Sequence, residues 1–115
     1  DLGLIAPNQS IYNSGKNKTN VKPVSYSIIK SGLIGLTKYT STYWSDKNIR
    51  CNAIAPGGVF NNQNKEFINK VSKLIPLGRL ADKKEIGNML IFLLSNLPSY
   101  VNGATISVDG GRTAW

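Results

Sequence analysis

Two short apolar runs, each closed by a double glycine, limit what this chain can fold into. Ile49-Arg50-Cys51-Asn52-Ala53-Ile54-Ala55 is broken by Pro56-Gly57-Gly58, and Ala104-Thr105-Ile106-Ser107-Val108 by Asp109-Gly110-Gly111. The first run is almost wholly apolar after Arg50, which suits a parallel strand covered on both faces. Two helical segments lie between the runs. The first follows Asn61-Asn62-Gln63-Asn64 and carries Phe67, Ile68, Val71, Leu74 and Ile75 as its apolar set. After the turn Pro76-Leu77-Gly78, Asp82-Lys83-Lys84-Glu85 reads as a capping box. It opens a helix striped by Ile86, Met89, Leu90, Leu93, Leu94 and Leu97 and ended by Pro98-Ser99. Ile91 and Phe92 lie off that stripe, as they would in a helix that also meets another subunit. Helices between two such strands predict a right-handed crossover in a parallel sheet. Two strands alone would leave bare faces and a bare edge. The pattern is therefore the end of a larger α/β domain.

Before the first strand, a helix is predicted from about Ser25 to Ser45, with Ser25 as its N-cap. Ile29, Leu33, Leu36, Thr40 and Tyr43 recur at helical spacing and predict one buried face. Gly32 and Gly35 each weaken a helix by about 1 kcal/mol relative to alanine, which suggests close approach of another backbone. Upstream, Asp1 to Pro7 resembles a strand end running into a loop, and Asn8 to Lys22 is a long polar loop. The helix opens with Tyr26 and Lys30, four residues apart and so on one face. A lysine ammonium held beside a phenol favours the phenolate. Such a phenol can give or take a proton at neutral pH.

Tyr-x-x-x-Lys recurs at Tyr12…Lys16 and Tyr43…Lys47. The first lies in a turn-rich stretch and the second at a helix end, so only Tyr26…Lys30 opens a long periodic segment. The chain has 115 residues, 14 Lys and Arg against 6 Asp and Glu, no histidine and one cysteine. Cys51 can form no intramolecular disulfide and is expected as a buried thiol. Without histidine, a protein-ligated metal site or a Ser/His/Asp triad is not expected. The lysines are spread along the chain. Their densest cluster, Lys16 to Lys22, has no interleaved aromatics, so the +8 charge reads as solvated surface rather than as a nucleic-acid face. No apolar run is long enough to span a membrane. A soluble cytoplasmic protein is the expectation.

Five features in order resemble the C-terminal half of short-chain dehydrogenase/reductases, over nearly the full length. They are Tyr26-x-x-x-Lys30, Gly32-Leu33-Ile34-Gly35-Leu36-Thr37, and Arg50-x-Asn52-x-Ile54-x-Pro56-Gly57. Pro76-Leu77-Gly78-Arg79 with Glu85-Ile86, and Asn102-Gly103 with Val108-Asp109-Gly110-Gly111, complete the set. The resemblance implies the C-terminal part of a Rossmann-like doubly wound parallel sheet, a three-layer α/β/α fold. Residues 1–115 would then be half of a single NAD(P)-binding domain whose cofactor-cradling half is absent from this sequence.

By the same resemblance, Tyr26 would be the catalytic acid/base. Lys30 would bond the nicotinamide ribose and favour the ionised phenol. Pro56, Gly57 and Val59 would line the nicotinamide of NAD or NADP. Asn61 stands where the family often has threonine. Ile28 and Ile29 replace small residues, and the glycine-rich pyrophosphate turn, the relay asparagine and the catalytic serine are missing. Asp1-Leu2-Gly3 looks like the segment just after that serine, and Ser14 is the other position considered. The residues from Asn8 to Val24 include an insertion beside the site that could serve as a substrate lid. The implied partners are a small-molecule carbonyl or alcohol, a sugar or sugar nucleotide among the options, and further copies in a homodimer or homotetramer. A weaker resemblance points to bacterial reductases of surface-polysaccharide or flagellin-glycan synthesis. The alternatives are a structural piece without turnover and a basic binding module.

Overall fold

The computed structural model describes residues 1–13 and 20–115. Ser14, Lys16 and Lys18 lie outside the described residues. The main elements are helix α1 (Val24–Tyr43), strand β1 (Ala53–Pro56), helix α2 (Lys65–Ser72), helix α3 (Lys83–Leu94) and strand β2 (Thr105–Val108). β1 and β2 pair in parallel, with Ala53 opposite Thr105 and Pro56 opposite Val108. Both helical segments predicted between the strands are present. α1 packs on β1, and α3 packs on both strands.

β1 is shorter than the predicted run because side chains take over its first hydrogen bonds. The Cys51 N–H donates to Asn102 Oδ1 (2.9 Å), and Asn52 bridges the Val101 carbonyl (2.9 Å) and the Ala104 N–H (3.0 Å). Asn102 also donates to the Ser41 carbonyl at 2.9 Å, tying the end of α1 to the sheet. Arg50 reaches the carbonyls of Leu93 and Ser95 at 3.1 and 3.2 Å. A cation there satisfies orphan carbonyls at the C-terminus of α3 and complements the helix dipole. α3 accordingly stops at Leu94, and Leu97 lies beyond it, 80% exposed. Cys51 is half-buried rather than enclosed.

α1 corrects three expectations. Its boundary residue is Pro23, whose carbonyl accepts the Tyr26 N–H at 3.0 Å, and no side chain caps it, so Ser25 is not the N-cap. Its buried positions are Thr37 and Ser41, not the apolar stripe: Ile29, Leu36 and Tyr43 are 61%, 57% and 60% exposed. Small hydroxyls face the sheet because backbone comes close there. A Cβ on Gly103 (φ +79°) would stand 2.8 Å from Ser41 Oγ. Both hydroxyls bond back to their own helix, to the Leu33 and Lys38 carbonyls, as small hydroxyls within helices commonly do. Gly32 and Gly35 face open space, with no atom within 4 Å of a Cβ placed on either.

The clearest packed cluster is Val71, Ile75 and Leu80, with Ile11, Phe67 and Ile68 against it. The Cα radius of gyration is 16.1 Å, against about 13 Å for a compact domain of this length. The excess agrees with the exposed outer face of α1 and with Leu90, Ile91 and Leu94 on α3. Among the described residues, no strand pairs with the second edge of β1, and no helix is long and apolar enough to cross a membrane.

The capping box of α3 is formed as predicted: Asp82 Oδ1 accepts the Lys84 N–H (2.7 Å), and Glu85 Oε2 accepts the Asp82 N–H (2.8 Å). Arg79 makes two 2.8 Å bonds to the same Glu85 carboxylate. That guanidinium, and then the Asp82 N–H, hold the Glu85 carboxyl down at about 2, from an ordinary 4.5. A depressed folded value means the contribution is complete above pH 4.5 and lost as pH falls toward 2. NMR titration should show Glu85 ionised at pH 3, and Arg79→Gln should move its midpoint upward. An unmoved midpoint would show that the ion pair does not form in solution.

Candidate active site

Tyr26 and Lys30 project from the first turns of α1, with the Lys30 ammonium 5.3 Å from the Tyr26 ring centroid. A trough of about 460 Å³ between α1 and β1 is lined by both, together with Pro56 and Gly57. The chain's first residues close it from the side. The Asp1 amino nitrogen donates to the Pro56 carbonyl at 2.7 Å, and Ser31 Oγ donates to the Gly3 carbonyl at 3.2 Å. Only glycine fits at position 3, because a Cβ there would sit 2.6 Å from the Lys30 carbonyl oxygen.

The Pro56-Gly57 turn is placed by β2. The Gly57 N–H donates to the Val108 carbonyl at 3.0 Å, and a Cβ on Gly57 would come within 2.8 Å of Asp109 Cα. Burial pushes the Asp109 carboxyl up. Bonds from Thr113 Oγ1 (2.6 Å) and from the Gly111 and Thr113 N–H groups (3.0 Å each) outweigh that and leave it below the ordinary range. Gly110 and Gly111, at φ +64° and +88°, then turn the tail back over the sheet.

Val59 and Asn61 stand one step away. Val59 forms a parallel bridge with Ala81, and its carbonyl accepts from Gln63 Nε2 at 2.8 Å. The Asn61 N–H donates to Gln63 Oε1 at 2.8 Å, and its side chain is exposed. Neither residue lines the trough.

The segment read as a polar loop is partly built. Gln9–Tyr12 forms a 3-10 turn capped by Asn8, whose Oδ1 accepts the Ser10 N–H at 3.0 Å. Ile11 packs on the Val71 cluster, and the Tyr12 ring lies 6.2 Å from that of Phe67. The Gln9 side chain clasps the main chain of Lys22 through two bonds, 2.8 and 3.1 Å. The Lys22 ammonium lies over two rings, 4.5 Å from the Tyr26 centroid and 4.9 Å from that of Tyr12. A second cavity, about 320 Å³, shares Tyr26 and Gly57 with the trough and is walled by Tyr12, Lys22, Gln63 and Arg112. Burial, and then Tyr26, raise the pKa of Tyr12, while Arg112 works against them.

Lys22, Gln63 and Arg112 line this cavity, and sequence reasoning missed them. Lys22 sits in a lysine cluster that reads as solvated surface, and Gln63 in a polar lead-in to a helix. Arg112 follows a double glycine, with no periodicity to assign it a face.

Residues 8–113 match the family model described as enoyl-(acyl carrier protein) reductase. The chain belongs to the short-chain dehydrogenase/reductase family. Among family members, it is 40% identical over 96 residues to the 3-oxoacyl-(acyl-carrier-protein) reductase FabG of Aquifex aeolicus, covering 80% of this chain and 39% of that protein. It is 40% identical over 92 residues to the L-rhamnose-1-dehydrogenase of Scheffersomyces stipitis, covering 75% of this chain and 36% of that one. The short-chain dehydrogenase of Leptospira borgpetersenii, solved with bound NAD+, superposes with a TM-score of 0.84 at 36% identity. That match covers 97% of this chain and 41% of the other. The chain thus spans about two fifths of the length of these family members, and its α/β architecture is theirs.

Gly57→Ala tests the placement of the turn. The added methyl meets backbone, not a flexible side chain, so we expect about 1–3 kcal/mol of destabilisation, read as a lowered denaturant midpoint of the complete protein. An unchanged midpoint would show that β1 and the Asp109 turn are not in contact.

Proposed function

We propose that this chain supplies the catalytic tyrosine and lysine of an NAD- or NADP-dependent oxidoreductase acting on a small-molecule carbonyl or alcohol. The observation that carries the reading is the meeting of Tyr26, Lys30, Pro56 and Gly57 on one trough. Five sequence features in family order support it, as does the bound NAD+ of the Leptospira relative.

The donors present fit a nicotinamide riboside. An ammonium and a phenol on one wall suit ribose hydroxyls, and a proline–glycine turn offers a flat wall free of side-chain bulk for a planar ring. The nicotinamide, when bound, supplies the hydride acceptor or donor. Lys30 would hold the ribose and orient the Tyr26 hydroxyl. In the reducing direction, Tyr26 gives its proton to the carbonyl oxygen as the carbonyl carbon is reduced; in the oxidising direction, the phenolate takes the hydroxyl proton. Val59, whose N–H carries none of the hydrogen bonds described above, would meet the carboxamide. Asn61 would serve from the rim.

The bare edge of β1 and the exposed face of α1 support a single domain completed by a cofactor-cradling half. The apolar surfaces on α1 and α3 also support a homodimer or homotetramer. A cytoplasmic setting goes with this chemistry. The L-rhamnose-1-dehydrogenase relative favours a sugar or sugar derivative as substrate.

Tyr26→Phe tests the role of the phenol. In the complete protein, assayed by NADH absorbance on a panel of sugars and sugar acids, kcat should fall by about 10²–10⁴-fold with NADH affinity retained. Turnover within twofold of the parent would remove Tyr26 from the chemistry.

A further inference from the structure

The second cavity holds charge that hydride chemistry does not require. Lys22 and Arg112 are both half-buried on its wall. Among the described residues the ion pairs are Lys47–Asp46, Lys70–Glu66 and Arg79–Glu85. Among the described residues, neither Lys22 nor Arg112 is ion-paired with an acidic side chain. Asp1 lies along the same wall and is ion-paired with neither. A half-buried cation without a counter-ion carries a desolvation cost, which an arriving anion relieves.

Both cations are placed rather than loosely exposed. The Gln9 side chain fixes the main chain of Lys22, and the faces of Tyr12 and Tyr26 attract its ammonium; contacts of this kind hold a cation in position. Arg112 is set by the turn that follows β2, where its N–H donates to the Asp109 carbonyl at 3.2 Å. Its opposition to the raised pKa of Tyr12 agrees with a guanidinium near that ring. The cavity, about 320 Å³, is at the scale of small-molecule sites. It shares Tyr26 and Gly57 with the trough.

We infer that this cavity binds the substrate by an anionic group, a carboxylate or a phosphate, with Lys22 and Arg112 as the residues that select it. The inference rests on the reading of Tyr26 as acid/base, because that reading makes this cavity the substrate side of the phenol. A carboxylate or phosphate would take charge-assisted bonds from the ammonium and a forked pair from the guanidinium. The clasped pair Gln9 and Lys22 would then act as a selectivity element.

The complete protein, saturated with whichever of NADH and NADPH it binds, is titrated calorimetrically at low ionic strength with inorganic phosphate, D-gluconate and neutral D-glucitol. We expect saturable binding of at least one anion, with glucitol at least tenfold weaker. Lys22→Gln and Arg112→Gln should each weaken the anion by about tenfold while affinity for that cofactor stays unchanged, which also shows the variants are folded. Lys22→Arg should restore most of the anion affinity, as a merely structural role for Lys22 would not require. A preference for gluconate identifies a carboxylate substrate, and a preference for phosphate a phosphorylated one. Glucitol binding as tight as either anion, no anion binding, or anion binding unmoved by both substitutions would overturn the inference and leave the oxidoreductase reading intact. Failure of the parent protein to bind either NADH or NADPH would bring down both.

Discussion

Four residues of parallel pairing position nearly everything else in this chain. With Ala53–Pro56 laid beside Thr105–Val108, the Pro56-Gly57 turn must leave β1 next to Asp109. The Gly57 approach to Asp109 Cα is so close that any side chain would force the two apart. So short a ladder supplies few hydrogen bonds. The side chains of Arg50, Asn52 and Asn102 extend it, clamping its entry to α1, α3 and the segment before β2. The Arg-x-Asn and Asn-Gly motifs are thus latches of the scaffold, and the Pro56-Gly57 turn, where we propose the chemistry, stands at the opposite end of β1.

That arrangement explains why some of the fold was legible and some was not. The strands, the crossover and the capping box rest on local signals: apolar runs, glycine turns and an acid three residues after an N-cap. Each was readable because its cause lies within a few residues of its effect. The buried face of α1 was misread. Its apolar stripe, Ile29 to Tyr43, is mostly exposed, with Leu33, Leu36 and Thr40 along the open trough, while the face toward the sheet carries Thr37 and Ser41. Periodicity reports that a helix has an apolar side. It does not report which surface that side meets, and an apolar face reserved for a neighbouring element or subunit looks the same as one buried in this chain's own core.

The site shows the same division. That Tyr26 and Lys30 share one wall with Pro56-Gly57 was legible in part: helical spacing puts the pair on one face, and the turn follows the strand directly. The choice of this pair over the other two drew on helical context and the family resemblance, and the roles given to all four residues came from that resemblance. Lys22 was not legible. Its position over Tyr26 depends on the Gln9 clasp and on Tyr12 packing against Phe67 from α2, contacts between segments far apart in sequence. The result is a phenol with two cations around it, Lys30 toward the trough and Lys22 toward the second cavity. We propose a division of labour on this basis, cofactor beside Lys30 and substrate beside Lys22.

We propose that the nicotinamide ribose binds in the trough beside Lys30. The most direct measurement is the NADH or NADPH affinity of the complete protein and of its Lys30→Met variant, by fluorescence titration. The account predicts saturable binding by the parent and a loss of about tenfold or more in the variant, the scale of one charge-assisted hydrogen bond. Equal affinity in the two proteins would contradict it, and the trough would then be only the slot left by a neighbouring strand.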